Sequence, residues 1–363
     1  MKVNDKLLHL AALALLPFST TEAVEPTSGP ATNPGSEKRT TVQEEAADRV
    51  LRGDVLDASH LVFEPHRWQR RRTSTHMIPW EGESLVFLVT EKATRSTPLD
   101  DETLKRFTAI LNRAWAIYDT LIPGTPPLRK SYNGKTVMLA TPGIYACGLG
   151  CGFIGMTGIE VTSFYATEYP NFRKEPDAFR NYYFYEMGRN WYLFGDRLKP
   201  FTTSFAVHMR HVCMRRLKLK DIAGNPPIEG AYRVEKKYAE SKDVSHYDDF
   251  MANHTSRLRR KLGDGYADRN TIYAGIMLRL EDQFGATFLP RYYRAVMDCP
   301  PGKSRTHQDH TINWIVACSY GAQKDLSELF QTRYHVPLGQ SYRDVFGQID
   351  WADPDAVENF QAR

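Results

Sequence analysis

Past its amino terminus the chain of 363 residues has no apolar run long enough to cross a bilayer, for which about 20 consecutive apolar residues are needed. No stable membrane insertion is therefore expected. Cysteine is sparse: Cys147, Cys151, Cys213, Cys299 and Cys318 are too few for a disulfide-built scaffold. Their odd number leaves at least one thiol unpaired within the chain, and Cys147-Gly-Leu-Gly-Cys151 is spaced to close a small loop. Charge of one sign is also lacking, with 47 Lys and Arg against 43 Asp and Glu. The basic runs Arg67–Arg72 and Arg257–Lys261 read as solvated faces, and with no nucleic-acid-binding motif beside them no nucleic-acid partner is expected. The chain contains no G-x-S-x-G turn to present a nucleophilic serine, and no internal repeat.

What is present divides the chain into five stretches. Lys2 and Lys6 precede a short apolar segment, Leu7 to Phe18, and Thr21-Glu22-Ala23 offers a small residue at a cleavage point. This pattern reads as an export signal over 1–23, so a secreted or periplasmic location is expected. Residues 24–40 have the Pro, Ser, Thr and Gly content of a flexible tether. Residues 41–78 are charged and weakly periodic, and predict a helical arm. From 79 to 199 strand-forming runs (Leu85–Val89, Thr136–Ala140, Ile159–Phe164) alternate with a helix over Leu99–Leu121. The glycine-rich loop between Gly143 and Gly158 runs into a strand, unlike a phosphate loop, and reads as tight backbone turning. From 200 to 363 the spacing is mainly helical, with segments at 201–219, 244–262, 270–284, 287–298, 307–319 and 324–334.

Between these halves, Pro176 and Gly195 bracket an aromatic-rich helix expected from Asp177 to Phe194. Its aromatic side chains suit either a packed core or a sugar-stacking groove. At its centre stands Tyr185-Glu186-Met187-Gly188-Arg189-Asn190. In the zinc-binding pattern H-E-x-x-H, two histidines four apart hold the metal and the intervening Glu is a general base. Here the Glu is retained as Glu186, but Tyr185 and Arg189 hold the ligand positions. A guanidinium is permanently charged and only donates, so it repels the cation it would have to bind.

The run Tyr185–Asn190 resembles H-E-x-G-H-N of the gluzincin metallopeptidases, including their enhancin-like, mucin-cleaving branch, at Glu, Gly and Asn. Thr203-Ser204-Phe205-Ala206 is similar in frame to the E-G-F-A stretch that supplies the family's third ligand, which puts Thr203 where that Glu stands. Leu280–Phe288 and Ala317–Leu326 are similar to the family's helical lobe. The resemblance spans roughly 80–345. It implies an α+β, zincin-like fold: an N-terminal mixed sheet with a central motif helix, then a mostly helical C-terminal lobe. With three ligand positions changed, neither a metal nor another cofactor is expected, and metallopeptidase activity is not.

What replaces the metal is then the question. Arg189 is placed to pair with Glu186 across one turn, and to offer its fork to a carboxylate, sulfate or phosphate on a polymer. Tyr182, Asn190, Thr203 and His208 complete the candidate binding set, for a polysaccharide or glycoprotein ligand in the cleft between the lobes. The alternative is metal-independent glycan hydrolysis by Glu186 with Tyr185, which needs a second carboxylate from Glu160, Glu168 or Asp196. A third expectation is a purely structural or partner-binding domain. His208/His211 and His307/His310 each place two imidazoles three apart, with His246 and His254 between them, as a relocated metal site.

Overall fold

The computed structural model describes residues 49–58, 76–91, 98–122, 124, 132–141, 150–152, 158–191, 194, 197–223, 226–300 and 306–363. The export signal, the tether, Arg67–Arg72, Asp196 and the Cys147 end of the small loop lie outside these residues.

Two apolar runs build the centre of the sheet. In β4 (Leu85–Thr90) and β5 (Thr136–Ala140) every residue is buried, as expected of parallel strands covered on both faces. They pair in parallel, with the helix α1 (Asp101–Leu121) crossing between them. Asp100 caps α1 by accepting from the Thr103 amide at 2.7 Å, and Ile122, in an extended conformation, closes its other end. The sheet continues through β7 (Ile159–Val161), parallel to β5, to an edge strand β6 (Gly150–Gly152), which runs antiparallel to β7. On the other side β3 (His76–Glu81) pairs antiparallel with β4, and the two-residue strands β1 (Leu51–Arg52) and β2 (Leu56–Asp57) both pair with β3. The regular structure described within 41–78 is thus mainly strand (Leu51–Arg52, Leu56–Asp57 and the start of β3), and the expected helical arm is corrected at those residues: weak periodicity gives no face to bury, whereas the open edge of β3 satisfies the backbone directly.

Side-chain alternation splits the sheet between two cores. Phe87, Val89, Met138, Ala140, Ile159 and Val161 face the main core, while Val86, Leu88, Val137 and Leu139 join a smaller cluster on the opposite face. Phe107 of α1 sits at the hub of the main core, its ring 4.9–5.2 Å from those of Phe87, Phe164, Phe172, Phe179 and Tyr183. The aromatic cluster is thus a packed core.

Past β7 come a π-helical turn (Phe164–Glu168) and the short helix α2 (Tyr169–Lys174). The motif helix α3 runs Tyr182–Trp191, beginning later than the 177–194 expected. Ala178 and Phe179 form β8, paired in parallel with β9 (Lys220–Asp221). The Lys220 and Ile222 amides donate to the Asp177 and Phe179 carbonyls at 2.8 and 3.1 Å, a long-range competition that local spacing does not reveal.

The remainder is helical: α4 (Thr202–Arg216), α5 (Ile228–Glu240), α6 (Thr255–Leu262), α7 (Arg269–Phe284), α8 (Phe288–Asp298), α9 (His307–Ala322), α10 (Ser327–Arg333), α11 (Gln340–Gly347) and α12 (Ala356–Gln361). The single helix expected over 244–262 is instead a π-helical turn (His246–Met251) and α6. Asn253, at φ 54°, breaks the helical path between them. Arg257 and Lys261 of α6 pair with buried Asp249 at 3.3 and 2.6 Å, which ties part of that basic run to the fold. The molecule is mixed α+β, a small N-terminal mixed sheet followed by a mostly helical part. Among the described residues no helix is long and apolar enough to cross a membrane.

Candidate functional site

Eight of the ten residues of α3 are buried; Tyr185 and Arg189, one turn apart, are the two that reach partial exposure. The open stripe of this helix is therefore the pair that stands in the ligand positions of the zinc motif. The helix is held in place on its other sides. Tyr118 of α1 donates to the Phe184 carbonyl at 2.6 Å, and Trp191 packs edge-on to Trp115 at 4.6 Å. Gly188 lets α4 approach closely: a Cβ there would lie 2.9 Å from the Ala206 Cα and from the Tyr118 hydroxyl.

α4 runs antiparallel to α3. Gly188 meets Ala206, and one residue further along α3 the Arg189 guanidinium donates through Nη1 to Thr203 Oγ1 at 3.1 Å. The two positions singled out by separate motifs thus face each other across the helix pair. In the opposite direction the same register sets Tyr185 against Arg210, and the fields of Arg189, Glu186 and Arg210 all act on the Tyr185 hydroxyl. Burial raises that hydroxyl above its ordinary range, and Arg189 draws it back.

Glu186 points from α3 to the sheet edge. Its Oε2 accepts from the Gly152 amide at 2.7 Å. Both edge glycines are required by this contact: a Cβ at Gly150 would sit 2.6 Å from Glu186 Cγ, and one at Gly152 would sit 2.2 Å from the Glu186 carbonyl oxygen. Burial pushes the Glu186 carboxyl up to about 7, against the lowering effects of the Gly152 amide and the Arg189 charge. The expected Glu186–Arg189 pairing is corrected here. The carboxylate is bonded to the sheet edge and the guanidinium to Thr203, so Arg189 acts on Glu186 through its field.

Three members of the expected binding set lie in the interior. Tyr182 is 3 % exposed, donates to the Thr162 carbonyl at 2.9 Å and stacks on Tyr183 at 4.4 Å. Asn190 is fully buried and donates to the Gly158 carbonyl at 3.1 Å. His208 is fully buried against the Tyr293 hydroxyl at 3.1 Å, and burial pulls its imidazole down to about 3. These side chains hold the site's walls and do not reach a ligand. Tyr185, Glu186, Arg189 and Thr203 are the ones brought together.

The second carboxylates fare differently. Glu160 is paired in register with Leu139 and Cys151, so alternation turns it to the small-cluster face, away from Glu186. Glu168 lies 3.2 Å from Arg180 Nε, and burial raises its carboxyl to about 7. Glu160 is thus turned from Glu186, while Glu168 and Glu186 both act on the Tyr182 hydroxyl through their fields. Two of the other histidines are engaged by the fold. His246 sits between the Tyr238 and Thr311 hydroxyls at 3.3 and 3.1 Å, and His310 contacts the Arg197 carbonyl at 3.0 Å. Among the described residues no group of three or more His, Cys, Asp or Glu is placed to hold a metal ion. Cys213, Cys299 and Cys318 are buried and in no disulfide.

The residues at the ligand positions do not fit Zn²⁺. The ion takes thiolate, imidazole or carboxylate donors, whereas Arg189 fills its position with a donor already spent on Thr203. Arg210 is the residue that sequence reasoning missed. Its signal was positional: it stands seven residues after Thr203, on the same face of α4.

No protein-family model matches the chain, and no curated protein matches it. The fold is similar to that of a solved structure described as a functionally unknown conserved protein from Bacillus anthracis str. Ames. The TM-score is 0.51 at 11 % identity, over 79 % of this chain and 55 % of that one. A mutant of a functionally unknown conserved protein from the same source gives 0.49 at 10 % identity, with the same coverage. The chain thus spans about half the length of these two structures.

Proposed function

We propose that this is a secreted or periplasmic zincin-like domain, related to the gluzincin peptidases, that has exchanged its zinc for a fixed guanidinium and binds a glycan or peptide polymer along the groove between α3 and α4. One observation carries this reading. The only residues of α3 left partly exposed are Tyr185 and Arg189, and Arg189 is tied to Thr203, which supports a ligand being met at the positions that resemble the family's metal ligands. Thr203 adds a hydroxyl to the same opening.

A second reading draws on Glu186, whose carboxyl near pH 7 suits a general acid in metal-independent hydrolysis. Glu160 is turned away from it and Glu168 is engaged by Arg180, which favours binding. Both readings meet one experiment: affinity electrophoresis of the full chain against neutral and acidic polysaccharides and peptides, with reducing ends assayed in parallel. Binding should appear without new reducing ends, and Arg189→Ala should weaken it. Retention of every polymer unchanged in Arg189→Ala would refute the assignment of the groove, and reducing ends that vanish in Glu186→Gln would favour hydrolysis.

A further inference from the structure

Glu235 of α5 is fully buried, and two arginines from different helices meet on its carboxylate. Arg279 of α7 donates through Nε to Oε2. Arg333, at the end of α10, donates through Nε and Nη2 to Oε1 at 3.2 and 2.9 Å, and the Tyr334 hydroxyl donates to the same oxygen at 3.1 Å. Both guanidiniums are therefore fastened to one carboxylate. Each also lies over a ring, Arg279 at 5.6 Å from the centre of Tyr232 and Arg333 at 5.6 Å from that of Tyr334. Neither is sealed: each side chain is 39 % exposed, and both line one cavity of about 410 Å³, whose other walls include Leu280, Leu329, Asp282 and Gln283.

Charge at this cavity does not cancel. Glu235 balances one of the two guanidiniums. Asp282 is engaged elsewhere, its Oδ1 accepting from Arg215 at 2.7 Å and its Oδ2 from the Tyr232 hydroxyl at 2.5 Å. Arg215 and Arg216 together balance Glu281 and Asp282. One positive charge is left at the cavity, and both Nη groups of Arg279 and Nη1 of Arg333 donate to no described residue.

We propose that Arg279 and Arg333 form a binding site for a small organic monocarboxylate. The free edge of a guanidinium matches the two oxygens of a carboxylate, and the surplus of one charge matches a single anion. Leu280 and Leu329 offer the ligand's body an apolar wall, and the volume restricts it to a small molecule. Because Glu235 and the two rings fix the guanidiniums beforehand, little side-chain ordering remains to oppose binding. The site lies on the helical part and uses neither Arg189 nor Thr203, so it stands or falls apart from the polymer-binding reading.

Titrations of the full chain with benzoate, its neutral counterpart benzamide and inorganic phosphate, followed by saturation-transfer NMR, test the site. Benzoate should bind, and benzamide and phosphate should each bind about tenfold more weakly or less. Arg279→Gln should weaken benzoate by about tenfold or more. Gln283, exposed on the cavity wall, tests the charge without touching Glu235. Gln283→Glu should weaken benzoate about threefold and Gln283→Lys should tighten it by a similar factor, as expected for a unit charge placed nearby in water. Where Arg279→Gln fails to fold, the two Gln283 variants decide alone. Absence of benzoate binding, equal binding of benzamide, or tighter binding of phosphate would overturn the site. So would a folded Arg279→Gln chain that binds benzoate as the parent does, or an affinity indifferent to the charge at position 283.

Discussion

Glu186 is 7 % exposed and its carboxyl is raised to about 7, against a value near 4.5 when the chain unfolds. Between these two values the folded chain holds a proton that the unfolded chain has released, so this group lowers stability as pH rises, by up to about 1.4 kcal/mol per pH unit. Glutamine mimics the protonated form and still accepts from the Gly152 amide. The stability difference between Glu186→Gln and the parent should therefore favour the variant increasingly from pH 4.5 to about 7 and level off above, as read by urea unfolding at a series of pH values. A difference independent of pH would contradict the burial assigned to this carboxyl. Arg189 and Thr203 were legible in the sequence because each falls on a motif position with its own spacing. Tyr182, Asn190 and His208 were not correctly assigned, since which face of a helix is covered depends on partners that spacing alone does not name. Arg210 was not legible at all: a helix arginine looks alike whether its head is solvated or buried.

The pairing of α3 with α4 sets the site's geometry at the scale of elements. Gly188 sets their separation, because a methyl there would meet backbone and the Tyr118 hydroxyl at 2.9 Å. Gly188→Ala should cost ~1–3 kcal/mol by overpacking, and by moving α4 it should also weaken any binding that depends on Arg189 and Thr203 together. Circular dichroism melts coupled to affinity electrophoresis against the polymers would show both effects; a fully stable variant with unchanged binding would contradict the close approach. Long elements such as β4, β5, α1 and α9 announce themselves through runs and caps. The two-residue strands β1, β2, β8 and β9 do not, because their pairing is decided by distant chain. α5 is not among the helices expected from spacing even though Ala231, Val234 and Tyr238 are buried at helical spacing along it; Pro227, which reads as a helix breaker, begins the helix as its N-cap.

For the molecule as a whole, the sheet edge and the first helix of the helical part both meet the motif helix, through Gly152 and Glu186 on one side and Thr203 and Arg189 on the other. The α+β class was legible from the order of strands and helices; the proposed exchange of cation for metal at inherited positions rests on the resemblance of Tyr185–Asn190 and Thr203 to the zinc motif. That claim of inheritance is tested most directly by returning the ligands. Zinc content and zinc-dependent melting would be measured for the parent and for the combined variant Tyr185→His, Arg189→His, Thr203→Glu. The account predicts no stoichiometric zinc in the parent and one tightly held ion per chain in the variant. Stoichiometric zinc in the parent, or none in a folded variant, would contradict it.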